Sequence, residues 1–174
     1  MDGLFIRDAT ATDLPRLTEI YNHYILHTAI TFDIEPLTVE QRREWFSHYA
    51  TEGPHRLFVA EADGVVLGSA WSSEFRPKRA YDSTVETSIY CAPEATGKGL
   101  GRRLYAALFA ALATQPQLNR AVAAITVPND ASIRLHELFG FKHVGVLSEV
   151  GYKFGRYWDV AWLEKDLRAA PPGE

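Results

Sequence analysis

The sequence predicts a single α/β (α+β) domain around a mixed, largely antiparallel central sheet flanked by helices. Strand-like and helix-like runs succeed one another in the order β-α-α-β-β-β-α-β-α-β-β. Two of the strand runs meet across Asp63-Gly64, the strongest short-range hairpin signal in the chain. Between Thr84 and Leu104 an alternating run passes through a short loop and a glycine-rich turn into a helix. At 174 residues, 47% of them hydrophobic, the chain is long enough to bury a core of its own. The domain is expected to occupy residues 1–167, with 168–174, which carry two prolines, as a disordered tail.

Leu4 to Arg7 reads as a first strand, and Thr12, Asp13 and Pro15 give the signals of a helix start. Leu14, Leu17, Ile20, Tyr21, Tyr24 and Ile25 then share one helical face. Thr38 and Gln41 have the spacing of a capping box for a second helix reaching Tyr49, whose apolar face carries Trp45 and Phe46. The two runs beside Asp63-Gly64 are 56–61 and 65–72, followed by a charged connection holding Arg76, Lys78 and Arg79. A helix is expected from Lys98 to about Thr114. Arg120 to Val127 reads as a strand buried inside the sheet. Asn129 and Asp130 cap a short helix through Leu138, which Gly140 closes. Val144 to Gly151 and Tyr157 to Leu163 are the last two strand runs, separated by residues 152–156.

The stretch from Thr84 carries the chemistry. Val85, Thr87, Ile89 and Cys91 alternate with Glu86, Ser88 and Tyr90, which puts a carboxylate on one face of a strand. Behind it, Gly97, Gly99 and Gly101 strip side chains from the start of a helix bearing Leu100, Leu104 and Leu108. Free N–H groups there can approach an anion closely, and the helix dipole adds attraction. The glycines alone fit an ordinary strand-to-helix turn equally well; the interleaved Lys98, Arg102 and Arg103 tip the reading toward an anion. A dinucleotide fingerprint requires a different third glycine interval, and a nucleotide P-loop requires Ser or Thr where Gly99 stands.

A net charge of −4 argues against an electrostatically driven nucleic-acid binder. No apolar run approaches the ~18 residues of a membrane span, and no leader-like segment precedes Ile6. The single cysteine, Cys91, has no partner for an internal disulfide, and a cytoplasmic location is expected. His23 and His27 sit four apart, but without an acidic or cysteine partner nearby in sequence they read as helix-surface residues, and no metal is expected.

Thr96-Gly97-Lys98-Gly99-Leu100-Gly101 resembles the acyl-CoA pyrophosphate loop of the GNAT superfamily of N-acetyltransferases, with Thr96 where Gln or Arg is usual. The element order matches that acyltransferase fold, and Asn129 to Phe141 looks like its second cofactor segment. Tyr21-Asn22-His23-Tyr24, Ala80-Tyr81-Asp82, Thr84-Val85-Glu86, Arg134-Leu135-His136-Glu137 and Gly151-Tyr152-Lys153 resemble the phosphinothricin N-acetyltransferases. Lys153-Phe154-Gly155-Arg156 and Gly97 to Arg102 are closer to the neighbouring methionine sulfoximine and methionine sulfone acetyltransferases. The resemblance runs from about Ile6 to Leu167.

It implies a homodimeric enzyme that moves the acetyl group of acetyl-CoA directly to the α-amine of a small amino acid. Ile89, Tyr90 and Cys91 would pair through the backbone with the pantetheine arm, and Gly97, Lys98, Gly99, Leu100, Gly101 and Arg102 would take the pyrophosphate. Asn129 would hold the far side of the arm, and Leu138 would line the cleft. Glu86 matches the family's general base, and His136 stands where a proton donor for the leaving thiolate is found. From pattern alone, Glu86 reads rather as a solvent-facing strand residue, and His136 equally well as a packed or capping helix residue. Arg76 matches the arginine for the substrate carboxylate, with Pro77, Lys78, Thr87 and Ser88 shaping the pocket. Lys153 would reach the substrate head group, across a dimer interface as the resemblance suggests, or else be surface charge. Direct transfer leaves Cys91 as a small buried residue rather than a nucleophile. An acetyltransferase acting on a protein N-terminus or an aminoglycoside, and an acyl-CoA-binding module without turnover, are the alternatives.

Overall fold

The computed structural model describes residues 3–168. Its strands and helices are β1 (Phe5–Asp8), α1 (Leu14–His27), α2 (Val39–Ser47), β2 (Leu57–Ala62), β3 (Val65–Glu74), β4 (Thr84–Cys91), α3 (Leu100–Leu112), β5 (Arg120–Val127), α4 (Asp130–Leu138), β6 (Lys142–Lys153) and β7 (Arg156–Asp166). They form one seven-stranded sheet in the order β1-β2-β3-β4-β5-β7-β6. Every neighbouring pair is antiparallel except β4 and β5, which run parallel across the α3 crossover. The α/β class and element order expected from the sequence are therefore those of the molecule. The tail expected at 168–174 lies, apart from Arg168, outside the described residues.

Local chemistry explains most boundaries. Asp63 and Gly64 both adopt positive φ (52° and 75°), the conformation that a two-residue hairpin between right-twisted strands requires. At α2 both halves of the capping box form, with Thr38 Oγ1 accepting from Gln41 N–H and Gln41 Oε1 accepting from Thr38 N–H. The start of α1 differs from expectation. Thr12 does not cap it; Asp13 precedes it and turns its carboxylate to Arg7, with both oxygens 2.7 Å from guanidinium nitrogens.

α3 begins at Leu100 rather than Lys98, because Gly97 and Gly99 sit at φ 74° and 75°, outside the helical region. Its inward face, Leu100, Leu104, Tyr105, Leu108 and Leu112, is buried against the sheet and forms the middle of the core. Truncating such a leucine to alanine costs about 2–5 kcal/mol. On the opposite side α1 buries Leu17 and Ile20, and Tyr21 and Tyr24 meet Tyr90 edge to face. The sheet is thereby covered on both faces around β3 and β4.

The C-terminal pair is longer than the sequence pattern indicated. β6 and β7 form one hairpin that turns at Phe154 (φ 53°) and Gly155 (φ 74°), so Tyr152, Lys153 and Arg156 belong to strands rather than to a loop. That registration buries Lys153, which is 5% exposed.

Candidate active site

The site originates in a failure of strand pairing. β4 and β5 are in register only at Thr84↔Arg120, Val85↔Ala121 and Glu86↔Val122. Beyond Glu86, β4 continues along β3 as far as Cys91↔Gly68, while β5 follows β7 to Val127↔Asp159. The two strands diverge into a wedge, and the β5-facing backbone groups of β4 past Glu86 lose their ladder partners. Unpaired strand edges of this kind accept an extended ligand as an added strand. The wedge is lined by Thr87 to Tyr90 on one side, Ala123 to Thr126 on the other, and Ser132 and His136 of α4 at its end.

A larger cleft of about 420 Å³ continues from the wedge to the start of α3, sharing Ile30, Ile89, Asn129 and Ser132 with it. Its far end is bare main chain. An added Cβ at Gly97 or Gly99 would meet nothing within 4 Å, so these residues present open backbone to the cleft. Gly101 serves another purpose: a Cβ there would stand 3.0 Å from Leu135 Cδ2, so its absence lets α3 and α4 approach. The first-turn N–H groups of α3 have no helical acceptor, and the N-terminal dipole favours an anion. Open glycine backbone, an unsatisfied helix start and a continuous cleft to the wedge together fit the diphosphate and arm of a coenzyme A thioester.

Several expected residues converge on this path. Ile89, Cys91, Gly97, Gly99, Leu100, Gly101, Arg102 and Asn129 line the cleft. Asn129 also caps α4, its side-chain oxygen accepting from Ser132 N–H at 3.2 Å. Lys98 and Arg103 do not join them. Lys98 Nζ donates to the Glu94 carbonyl at 2.9 Å, and Arg103 Nη2 donates to the Leu4 carbonyl at 2.6 Å. Leu138 requires correction: it is 56% exposed, and Leu135, three residues earlier on α4, lines the cleft instead. Tyr90 lines the wedge with its backbone strand, but its ring turns to the other face and stacks on Trp71 at 5.4 Å.

Glu86 lies on that other face with Ser88 and Tyr90, directly across from Ser73 of β3. It is half-buried, and burial raises its carboxyl above the usual range, while the Arg76 guanidinium acts in the opposite direction. Arg76, Pro77 and Lys78 are all exposed on the connection after β3. Thr87, on the opposite side of the strand, is buried at 3% exposure, so it and Ser88 cannot serve the same face. Cys91 is half-buried, and desolvation pushes its thiol up to about 11, which leaves little thiolate at neutral pH.

His136 is buried rather than presented to solvent, at 3% exposure. The Ser132 carbonyl lies 2.8 Å from its Nδ1, and a carbonyl only accepts, so Nδ1 carries the proton. Nε2 is then the acceptor for the Tyr105 hydroxyl at 2.8 Å. Burial holds the imidazole below its ordinary pKa, against the Ser132 hydrogen bond, so it is neutral at pH 7.

Lys153 does not project into the site from the surface. Its Nζ donates to the Thr31 carbonyl at 2.7 Å, and Gly151, two residues earlier, makes room for the Phe32 ring, whose Cζ would lie 2.2 Å from an added Cβ. The β6–β7 hairpin thereby pins the loop between α1 and α2, and Ile30 of that loop lines both wedge and cleft. Sequence reading missed Ile30, Leu135 and Tyr105, which the pattern shows only as ordinary apolar positions. Tyr24, which the sequence marks as part of an apolar helix face and of the Tyr21-Asn22-His23-Tyr24 segment, donates its hydroxyl to the Cys91 carbonyl at 2.6 Å and lines the cleft. Among the described residues no three His, Cys, Asp or Glu side chains form a group able to hold a metal ion.

A sheet that opens between two parallel strands beside a glycine-lined helix start defines an acyl-CoA-dependent transferase. A family model for the acetyltransferase (GNAT) domain matches residues 6–162, and the chain belongs to that family of acetyl-CoA-dependent N-acetyltransferases. It is 54% identical to a phosphinothricin N-acetyltransferase of Streptomyces coelicolor, over 93% of this chain and 95% of that one. Identity to an L-methionine sulfoximine/L-methionine sulfone acetyltransferase of Pseudomonas aeruginosa is 38%, over 95% and 98% of the two chains. Among solved structures, a GNAT phosphinothricin acetyltransferase of Sinorhizobium meliloti in complex with acetyl-CoA superposes with a TM-score of 0.89 at 33% identity. That match covers 97% of this chain and 93% of the other.

Proposed function

We propose that this acetyltransferase moves the acetyl group of acetyl-CoA directly to the α-amine of an amino acid of the phosphinothricin, methionine sulfoximine or methionine sulfone type. The observation that carries the reading is the wedge, with an anion-binding helix start at one end and a desolvated carboxylate where the strands part. In this reading the backbone of Ile89 to Cys91 pairs with the pantetheine arm, and Gly97 to Gly101 with Arg102 take the diphosphate. The main-chain N–H groups of the wedge face the developing oxyanion. Glu86, its pKa raised by burial, accepts the proton of the substrate ammonium directly or through water. His136, at the end of the wedge, supplies the proton for the departing thiolate. Arg76, the cation that Glu86 feels, holds the α-carboxylate, with Pro77, Lys78 and Ser88 around it.

Names of relatives with 38% to 54% identity across almost the whole chain support the acceptor class. The test is a comparison of kcat/KM for methionine sulfone, methionine sulfoximine, phosphinothricin, an aminoglycoside and an N-terminal peptide. The reading requires the three amino acids to exceed the other two by orders of magnitude. Such acetylation would detoxify inhibitors of this type, in the cytoplasm where acetyl-CoA is at hand.

We also read the protein as a homodimer. β6 is an edge strand whose Val144, Val146, Leu147, Val150 and Tyr152 are all more than 48% exposed, an apolar expanse that a monomer rarely leaves open. A second copy covering it would also buttress the hairpin that pins Thr31. Light scattering should give twice the chain mass for the wild type and the single mass for Val146→Glu; a wild-type monomer at micromolar concentration contradicts the assignment.

A further inference from the structure

Arg42 of α2 is a buried cation without a protein anion. It is 5% exposed, its Nε has no hydrogen-bond partner, and among the described residues its guanidinium makes no ion pair. What surrounds it is aromatic. The guanidinium carbon stands 3.4 Å over the Trp45 ring and 4.8 Å from the Tyr21 centroid. Trp45 meets Tyr49 and Trp71 edge to face at 4.9 and 5.3 Å, and Trp71 stacks on Tyr90. Ring faces offset part of the lost hydration but accept no in-plane N–H hydrogen bonds. The nearby Asp33 carboxylate is engaged by the Tyr21 hydroxyl at 2.7 Å. A side chain in this condition is complete only when something else brings the acceptors.

The aromatic box lies on the Glu86 face of the sheet. Tyr90 shares that face of β4 with Ser88 and Glu86, and Trp71 and Ser73 stand opposite Ser88 and Glu86 on β3. Tyr49 of the box and Ser73 both line a cavity of about 360 Å³, together with His48, His55 and Glu74. That cavity thus reaches the edge of the aromatic box at Tyr49 and the β3 residue paired with Glu86 at Ser73. Arg76 is the cation close enough to act on Glu86, so the carboxylate one carbon from the reacting amine belongs to it. Arg42, farther along the same face, matches the opposite polar end of the acceptor.

Resting on the function proposed above, we infer that Arg42 binds the oxygen-bearing head group of the acceptor amino acid. Its planar fork suits two polar atoms on one tetrahedral phosphorus or sulfur, and the rings beside it pack the methylene spacer and exclude water. Arg42 is thus a specificity residue that separates oxidised or phosphinyl amino acids from their unoxidised counterparts.

The experiment measures KM and kcat for phosphinothricin, methionine sulfone and methionine in wild type and Arg42→Met, alongside Tm. Loss of a charge-assisted fork should raise KM for the first two about tenfold or more, leaving methionine and acetyl-CoA within about twofold. Tm should not fall, because an unpaired buried charge has been removed. If the ratio of kcat/KM between methionine sulfone and methionine is unchanged, Arg42 is a structural cation only and the inference is overturned. An equal loss for all three acceptors would move Arg42 to the α-carboxylate and equally overturn it. Should Arg42→Met fail to fold, Arg42→Lys, which keeps the charge without the fork, is read by the same ratio. A wild type that acetylates none of the three defeats the proposed function itself, and the inference with it.

Discussion

Tyr105 and His136 are locked to each other: hydroxyl and Nε2 are 2.8 Å apart, and the rings meet edge to face at 5.1 Å. With Nδ1 bound to the Ser132 carbonyl, the imidazole has one face of its hydrogen bonding committed to α4 and the other to α3. The imidazole therefore closes the end of the wedge with both ring nitrogens engaged, in a dry setting. Tyr105→Phe should leave the imidazole in position while removing the proton it shares. We expect kcat to fall about 10- to 100-fold, with KM for acetyl-CoA nearly unchanged, and His136→Ala to fall at least as far. Steady-state thiol release measures both, and an unaltered kcat in His136→Ala would take the imidazole out of the chemistry.

Glu86 sets activity against stability. Its folded pKa is raised by burial, so ionisation costs more in the folded chain than in the unfolded one. The stability linked to this group is complete below the usual carboxylate pKa and is lost as pH rises through the folded value. Glu86→Gln should thus increase Tm at pH 7.5 and have no such effect near pH 4, while kcat/KM falls about 100-fold or more. Paired melting curves at the two pH values decide it, and a lower Tm at pH 7.5 would refute the desolvation argument.

Arg76 lowers the Glu86 pKa that burial raises. Removing the cation in Arg76→Met should move the acid limb of the pH–kcat/KM profile upward, because the carboxylate then ionises at higher pH. KM for the amino acid should rise in the same variant. A limb that stays in place would show that Arg76 serves neither the carboxylate nor Glu86.

Lys153 and Gly151 should both act at a distance, through the loop that carries Ile30. Lys153→Met leaves the Thr31 carbonyl without its buried donor, a change of about 1–3 kcal/mol in stability. Gly151→Ala forces the Phe32 ring to move, since its Cζ would stand 2.2 Å from the new methyl carbon. We expect kcat/KM to fall in both, and hydrogen exchange of residues 28–36 to accelerate. Unchanged exchange would separate the hairpin from the loop.

Much of this architecture was legible because it is local. The β4 alternation, the Asp63-Gly64 turn, the Thr38–Gln41 box and the Leu100, Leu104 and Leu108 spacing each depend on residues within one turn or one strand. The glycine loop was readable for the same reason, though Gly101 proved to serve helix packing. What was hidden depends on tertiary registration. Nothing in either strand marks Glu86↔Val122 as the last β4–β5 pair, because the divergence is imposed by β3 and β7. The choice between Leu135 and Leu138 is a matter of how α4 docks, and a rotation of one helix decides it. Lys153 and Arg42 are charged residues in polar patterns, which sequence assigns to the surface; their burial follows from partners distant in the chain.

The central claim is that acetyl transfer takes place directly, in the wedge beyond Glu86, with both substrates bound and Cys91 a bystander. Initial rates of thiol release, with acetyl-CoA and methionine sulfone varied together, test it most directly. Direct transfer predicts intersecting double-reciprocal lines and CoA release only when the amino acid is present. Parallel lines, or a stoichiometric burst of CoA without the amino acid, would establish an acetyl-enzyme and contradict the account.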